Sequence, residues 1–225
     1  MRLSEIYTSV QGEGPNTGHP IQFVRFGGCN MRCPGWPCDT VFAIDPKFAD
    51  TWDSVTAEQV FSRLWMNPHR ICITGGEPLT QRSSEMDDFV KLCLTDGFSI
   101  DLFTNGSMIL PHWVFNARVT VVMDWKLEGS GEGQTGYPNR VANAKVLHRK
   151  DAIKFVVVDR QDLHEAARVT RDFAMADVQA SLWVGAAWGR ITPEEVIDFI
   201  LEENLPWRLN VQTHKYIWKP DERGV

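Results

Sequence analysis

Short apolar runs alternate with amphipathic segments along most of the chain. IQFVRF (21–26), RICIT (70–74) and FSIDLFT (98–104) read as strands. RVTVVMDW (118–125), AIKFVVVD (152–159), ASLWVG (180–185) and WRLNVQTH (207–214) add four more. Between them, TAEQVFSRLW (56–65) predicts a helix, with Thr56 and Gln59 spaced for a capping box. SEMDDFVKLCLTDG (84–97) predicts a helix stopped at Gly97, and TPEEVIDFILEEN (192–204) one capped by Thr192 with Pro193 in its first turn. Strands alternating with helices imply parallel pairing and right-handed crossovers. About seven strands are too few for a closed eight-unit barrel. The expectation is an α/β fold, a partial (β/α) TIM-like barrel of about six or seven units, with a doubly wound open sheet as the alternative. In either architecture ligands sit at the carboxyl ends of the strands. Cys29, Gly75-Gly76-Glu77, Thr104-Asn105-Gly106 and Asp124-Trp125-Lys126 all fall there.

Composition narrows the class. With 225 residues, 43% hydrophobic and 23% charged, the chain fits one domain over 1–225 able to bury a continuous core. A net charge of -6 argues against a broad nucleic-acid footprint. No apolar run reaches the ~20 residues that a spanning helix needs. The start, MRLSEIYTSVQGEG, turns polar too early for a secretory signal. Five cysteines, an odd number, suggest a reducing cytoplasm in which clustered thiols bind metal.

Three of those cysteines lie in CNMRCPGWPC, at Cys29, Cys33 and Cys38. Thiolates select zinc or iron–sulfur. Structural zinc takes a closed set of four ligands, so a distant histidine such as His19 or His214 would have to complete it. Unliganded core thiols are the remaining bland reading. A [4Fe–4S] cluster on three thiolates leaves one iron open to an outside ligand. The next strand ends in TGGEP (74–78), where two glycines allow close backbone approach and Glu77 can accept from an ammonium or amide donor.

The cysteine loop followed by GGEP resembles the radical S-adenosylmethionine superfamily, with one departure: four residues, PGWP, separate Cys33 from Cys38 where the usual spacing is two. EIYTSVQGEG, FVRFGGCN, CDT, TGGEP and NVQTHKYIW together are similar to the 7-carboxy-7-deazaguanine synthases, over a span from residue 5 to the C-terminus. That resemblance implies a lyase of 7-deazapurine and queuosine biosynthesis. It would convert 6-carboxy-5,6,7,8-tetrahydropterin to 7-carboxy-7-deazaguanine with release of ammonia, using a [4Fe–4S] cluster, S-adenosyl-L-methionine and Mg2+. It also implies a one-electron reductant such as a flavodoxin and a homodimer.

The resemblance carries roles onto this sequence. Cys29, Cys33 and Cys38 would hold the cluster and Thr40 the Mg2+. Val10, Gln11, Gly12, Glu13, Arg25, Thr74 and the C-terminal Val225 would bind substrate. Pro37, Asp39, Gly75, Gly76 and Glu77 would bind S-adenosylmethionine, with Asp124, Trp125, Lys126 and Val184, Gly185, Ala186, Ala187 as looser matches. Trp125, Trp183 and Trp188 are expected to wall the pocket. Cys72 and Cys93 read as buried apolar side chains. Rival readings are a radical activase of a partner protein and a zinc-stabilised binding module.

Overall fold

The structure is a computed structural model; it describes residues 1–35, 38–219 and 222–225. Nine strands form one sheet: β1 (Arg2–Val10), β2 (Pro20–Phe26), β3 (Asp53–Ser54), β4 (Arg70–Gly75), β5 (Ser99–Thr104), β6 (Val119–Trp125), β7 (Ala152–Val157), β8 (Ser181–Ala186) and β9 (Trp207–Leu209). Their order is β3-β1-β2-β4-β5-β6-β7-β8-β9. All seven expected strands are present and run parallel from β2 to β9, while β1 and β3 add an antiparallel edge.

The helices are α1 (Val41–Ile44), α2 (Ala57–Phe61), α3 (Ser83–Thr95), α4 (Tyr137–Ala144), α5 (Arg160–Met175), α6 (Pro193–Glu202) and α7 (His214–Ile217). The expected capping box of Thr56 with Gln59 is made, and the expected cap Thr192 forms one as well, with Glu195. α3 buries Met86, Phe89, Val90 and Cys93, a face at helical spacing. Each large apolar side chain on it contributes about 1.5–3 kcal/mol.

Alternation along the strands separates two faces. Val24, Phe26, Ile71, Ile73, Ile100, Leu102, Val121, Met123, Ile153 and Phe155 share one apolar cluster with α2, α3, α5 and α6. Their neighbours in sequence, Arg25, Cys72, Asp101, Asp124 and Lys154, project from the opposite face. A doubly wound sheet would carry helices on both faces. Here the helical layer covers one, and the chain is a partial barrel. The polar face is its inside.

Two strand expectations change. WRLNVQTH is a strand only over Trp207–Leu209; Asn210 N still donates to Val184 O (2.7 Å) while its side-chain oxygen accepts from Gly14 N (3.0 Å), and α7 starts at His214. β1 carries no clean alternation because its register with β2 shifts between Leu3 and Glu5. The helix expected over 56–65 ends at Phe61.

Gly75 has φ +152°, and a Cβ there would strike the Phe26 carbonyl, so β4 approaches β2 as only glycine permits. Gly75→Ala is expected to lower stability by about 2–4 kcal/mol, measured by urea unfolding of the metal-free chain.

Candidate active site

The loop after β2 holds three free thiols, each half-buried. Gly76 and Glu77 amides donate to Phe26 O (3.1 Å) and Gly28 O (2.9 Å), which fastens the end of β4 beside Cys29. Those two amides of the Gly-Gly-Glu turn are therefore spent on the end of β2 and the loop that follows it. A Cβ on Gly76 would strike Gly28 O and come to 2.8 Å from Cys29 Cβ.

Downstream, Arg32 N donates to Glu132 Oε1 (2.7 Å) and Gly35 N to Ser130 O (3.2 Å). The first half of the PGWP insertion thus packs on the 127–131 loop rather than bulging outward. Pro37 lies outside the described residues. Cys38 Sγ is 3.3 Å from Thr40 Oγ1. Although Thr40 is the N-cap residue of α1, its hydroxyl makes no capping bond.

Burial pushes the Cys29 thiol up to about 11, and Cys33 and Cys38 act on it as like charges. Burial raises the Cys33 thiol as well; thiols held protonated in this way become ligands when a multivalent metal displaces the proton. Among the described residues no three His, Cys, Asp or Glu side chains group so as to hold a single metal ion. The donor chemistry of the trio, three thiolates with one place left for an outside ligand, fits an iron–sulfur group. His214, offered as a zinc ligand, sits instead against Gly12, where a Cβ would be 2.6 Å from its Nδ1.

Glu77 is fully buried. Its carboxylate accepts from Leu79 N (3.0 Å), Thr104 Oγ1 (2.9 Å) and Asn105 N (2.6 Å). Of the two donor kinds expected, ammonium and amide, it has the amides. Burial outweighs these bonds and raises its carboxyl from 4.5 to about 7.

Inside the barrel the QGEGPN loop packs against the sheet and is not a loose surface segment. Gln11 is 2% exposed; its Nε2 donates to Asp101 Oδ2 (3.0 Å) and its Oε1 accepts from Glu13 N (3.4 Å). Those two bonds fix the side-chain amide against the sheet and leave its second N–H and second lone pair available. Asn16 and Arg70 also bond Asp101, at 2.8 and 2.9 Å. Val10 ends β1, and Gly12 O accepts from Thr213 N (3.2 Å).

Glu13 reaches across to Lys154 (2.7 Å), which also pairs with Asp124 (3.1 Å), and Asp124 with Lys126 (2.9 Å). Burial would raise the Asp124 carboxyl, but Lys126 and Lys154 outweigh it and bring it to about 2. For Lys154 burial works downward, and Asp124 and Glu13 overcome it, so the ammonium stays charged. The sequence reading missed Lys154. Its signal was a lone cation in the apolar run AIKFVVVD.

Arg25 lies on the inner face beside Thr74, its register partner. Nε donates to Glu5 (2.8 Å) and Nη2 to Tyr7 OH (3.1 Å). The described end of the tail returns to this corner: Arg223 stacks 3.5 Å over Phe42 and pairs with Glu5 at 3.5 Å, and Val225 is half-buried.

Other calls land elsewhere. Trp125 is not a pocket wall; with Asp124 facing inward, its ring points into the helical layer against Phe173 and Tyr137. Val184 and Ala186 pack on the same side, whereas Gly185 backs onto Asn210 O and Ala187 N donates to Val157 O (2.8 Å). Trp183 faces inward; Trp188 is exposed against Tyr216. Cys72 and Cys93 are buried as expected.

No family model matches the chain. A curated 7-carboxy-7-deazaguanine synthase from Clostridium acetobutylicum is 32% identical, covering 100% of this chain and 99% of its own. Another from Koribacter versatilis is also 32% identical, over the whole of both chains. The chain belongs to the 7-carboxy-7-deazaguanine synthase family. The family member from Methanospirillum hungatei is again 32% identical, over 98% of this chain and 86% of its own. The crystal structure of QueE from Escherichia coli superposes with a TM-score of 0.68 over 92% of both chains. At 22% identity it supports the fold alone, an α/β partial barrel. Family membership implies an iron–sulfur cluster and S-adenosylmethionine. No helix among the described residues is long and apolar enough to cross a membrane.

Two outcomes test this geometry. Lys154→Met leaves Glu13 buried without its cation and Asp124 with Lys126 alone, and should cost about 3–5 kcal/mol, read from urea unfolding. Folded Glu77 holds its proton more tightly than the unfolded chain does. Stability of the metal-free protein should therefore fall as pH rises from about 4.5 to about 7, a loss on the order of 3 kcal/mol that Glu77→Gln removes.

Proposed function

We propose that residues 1–225 act as one radical S-adenosylmethionine domain. It converts 6-carboxy-5,6,7,8-tetrahydropterin to 7-carboxy-7-deazaguanine, releasing ammonia, in 7-deazapurine biosynthesis in the cytoplasm. The observation that supports this best is a full-length match to the family combined with three half-buried thiols at the mouth of a barrel whose inner face carries paired charges. When bound, a [4Fe–4S] cluster with S-adenosylmethionine supplies the one-electron chemistry that removes and returns a hydrogen atom.

The chain's own residues bind, orient and exclude water. Cys29, Cys33 and Cys38 would hold the cluster. Arg25, braced by Glu5 and Tyr7 with two of its donors, keeps donors for the substrate carboxylate. Glu13, held ionised by Lys154, accepts from the amino end of the pterin, and Thr74 offers a hydroxyl from β4. Gln11 and Gly12 position Glu13, and Val10 and Val225 border the same mouth. Thr40, whose hydroxyl caps no helix and lies 3.3 Å from Cys38 Sγ, would supply the protein's oxygen ligand for Mg2+. Asp39, Gly76, Asp124, Lys126 and the backbone of Val184–Ala187 line the S-adenosylmethionine side.

A cavity of about 280 Å³ opens beside Cys29, edged by Asn30, Trp52 and the cations Arg2 and Arg32. On a chain of net charge -6 this local positive edge fits an acidic one-electron donor such as a flavodoxin. We place the protein as a homodimer by family analogy alone.

Oxygen-free protein should be brown, carry about four irons per chain and form the deazapurine from the tetrahydropterin with S-adenosylmethionine, Mg2+ and a reductant. A colourless protein with one zinc would support a binding module; an intact cluster without deazapurine would support an activase. Arg25→Leu should lower kcat/KM on the order of 100-fold through KM. A few residues appended after Val225 should lower turnover if the tail carboxylate touches substrate.

A further inference from the structure

Cys29 has a second hydrogen-bonding neighbour besides the backbone. Its sulfur accepts from Met31 N at 3.4 Å and from Asn105 Nδ2 at 3.9 Å. Asn105 comes from the turn after β5, two strands away, and is 7% exposed. Its backbone N donates to Glu77 Oε2 (2.6 Å), so the buried carboxylate fixes where the residue sits. Which end of the side-chain amide faces the sulfur follows from its partners. Ser107 N can only donate, and it lies 2.9 Å from Oδ1. The NH2 group therefore points the other way, toward Asn30 Oδ1 (3.0 Å) and Cys29. Asn30 is in turn held by its Nδ2 on Ser107 Oγ (2.7 Å). Four side chains thus aim one N–H at one sulfur.

We infer that Asn105 is a positioning residue that acts through Cys29: its amide donates to the ligand sulfur and raises the reduction potential of the iron–sulfur group held there. This rests on the cluster reading above. The physical reason is charge. Reduction adds an electron shared with the thiolate sulfurs, and a donor aimed at one of them stabilises the reduced form more than the oxidised one. The two N–H donors sit in a partly buried setting, where water screens them weakly. Easier reduction matters because the electron must reach S-adenosylmethionine from a donor of limited strength.

Asn105→Leu removes the donor and adds no charge. Asn105→Asp keeps the acceptor for Ser107 N but puts a carboxylate oxygen beside the sulfur. At a fixed solution potential the ratio of reduced to oxidised cluster should fall by roughly tenfold in the Leu variant, the scale of outer-shell effects. That corresponds to about 59 mV for one electron. The Asp variant should fall further. The readout is the reduced-cluster EPR signal in a redox titration of S-adenosylmethionine-free holoprotein, with iron and sulfide measured on each sample. Equal midpoints in the parent and both fully loaded variants would overturn the inference. A parent that never binds four irons would instead defeat the cluster reading itself. Should neither variant load iron, the parent decides through 15N labelling of asparagine side chains and pulsed EPR. Coupling to an amide nitrogen bearing exchangeable protons supports the bond, and its absence overturns it.

Discussion

The ends of β2 and β4 meet backbone to backbone, because Gly75 and Gly76 carry no side chain to hold them apart. Phe26 O and Gly28 O accept the amides of Gly76 and Glu77 there. Once that junction is set, much else follows. Cys29 is placed at the rim of the barrel, and Glu77 is pressed between strands. With no water to solvate it, Glu77 recruits the hydroxyl and amide of the turn after β5. One close approach thus ties three consecutive strand ends together, the same three that border the thiols.

Farther down the inner face the organising element is charge rather than backbone. Lys154 stands between Glu13 and Asp124, and Lys126 continues the series toward the cysteine loop, where its charge acts on Cys33. Burying four charges in water-poor space is tolerable only because each faces an opposite one. The pairs run from the loop after β1 to the strand ends, so the plug inside the barrel and the rim above it form one electrostatic unit. Asp101 does the same lower down with Arg70, Asn16 and Gln11.

Parallel strands buried on a helical layer announce themselves as apolar runs, and that is why all seven were legible. β1 was not, because its irregular register with β2 erases the period of two, and β3 has only Asp53 and Ser54 to show. The thiol trio and the two glycines were legible as chemistry because their spacing is local. The Gln11–Asp101 bond and Lys154 were not, since they join residues 90 and 141 positions apart. Trp125 was misplaced although alternation alone, with Asp124 facing inward, assigns it to the helical side. Asn105 was noted only as part of a turn; nothing local in TNG reveals a sulfur across the sheet.

The loop bearing the thiols is anchored by contacts that involve no metal. Arg32 N is held by Glu132, Gly35 N by Ser130, and Gly35 O by Arg190 at 3.1 Å. Gly129 beneath it is pinned to Asp162 of α5. The thiol loop thus takes its shape from the layer behind it, and a disturbance of α5 would reach the sulfurs through Gly129 without touching any of them.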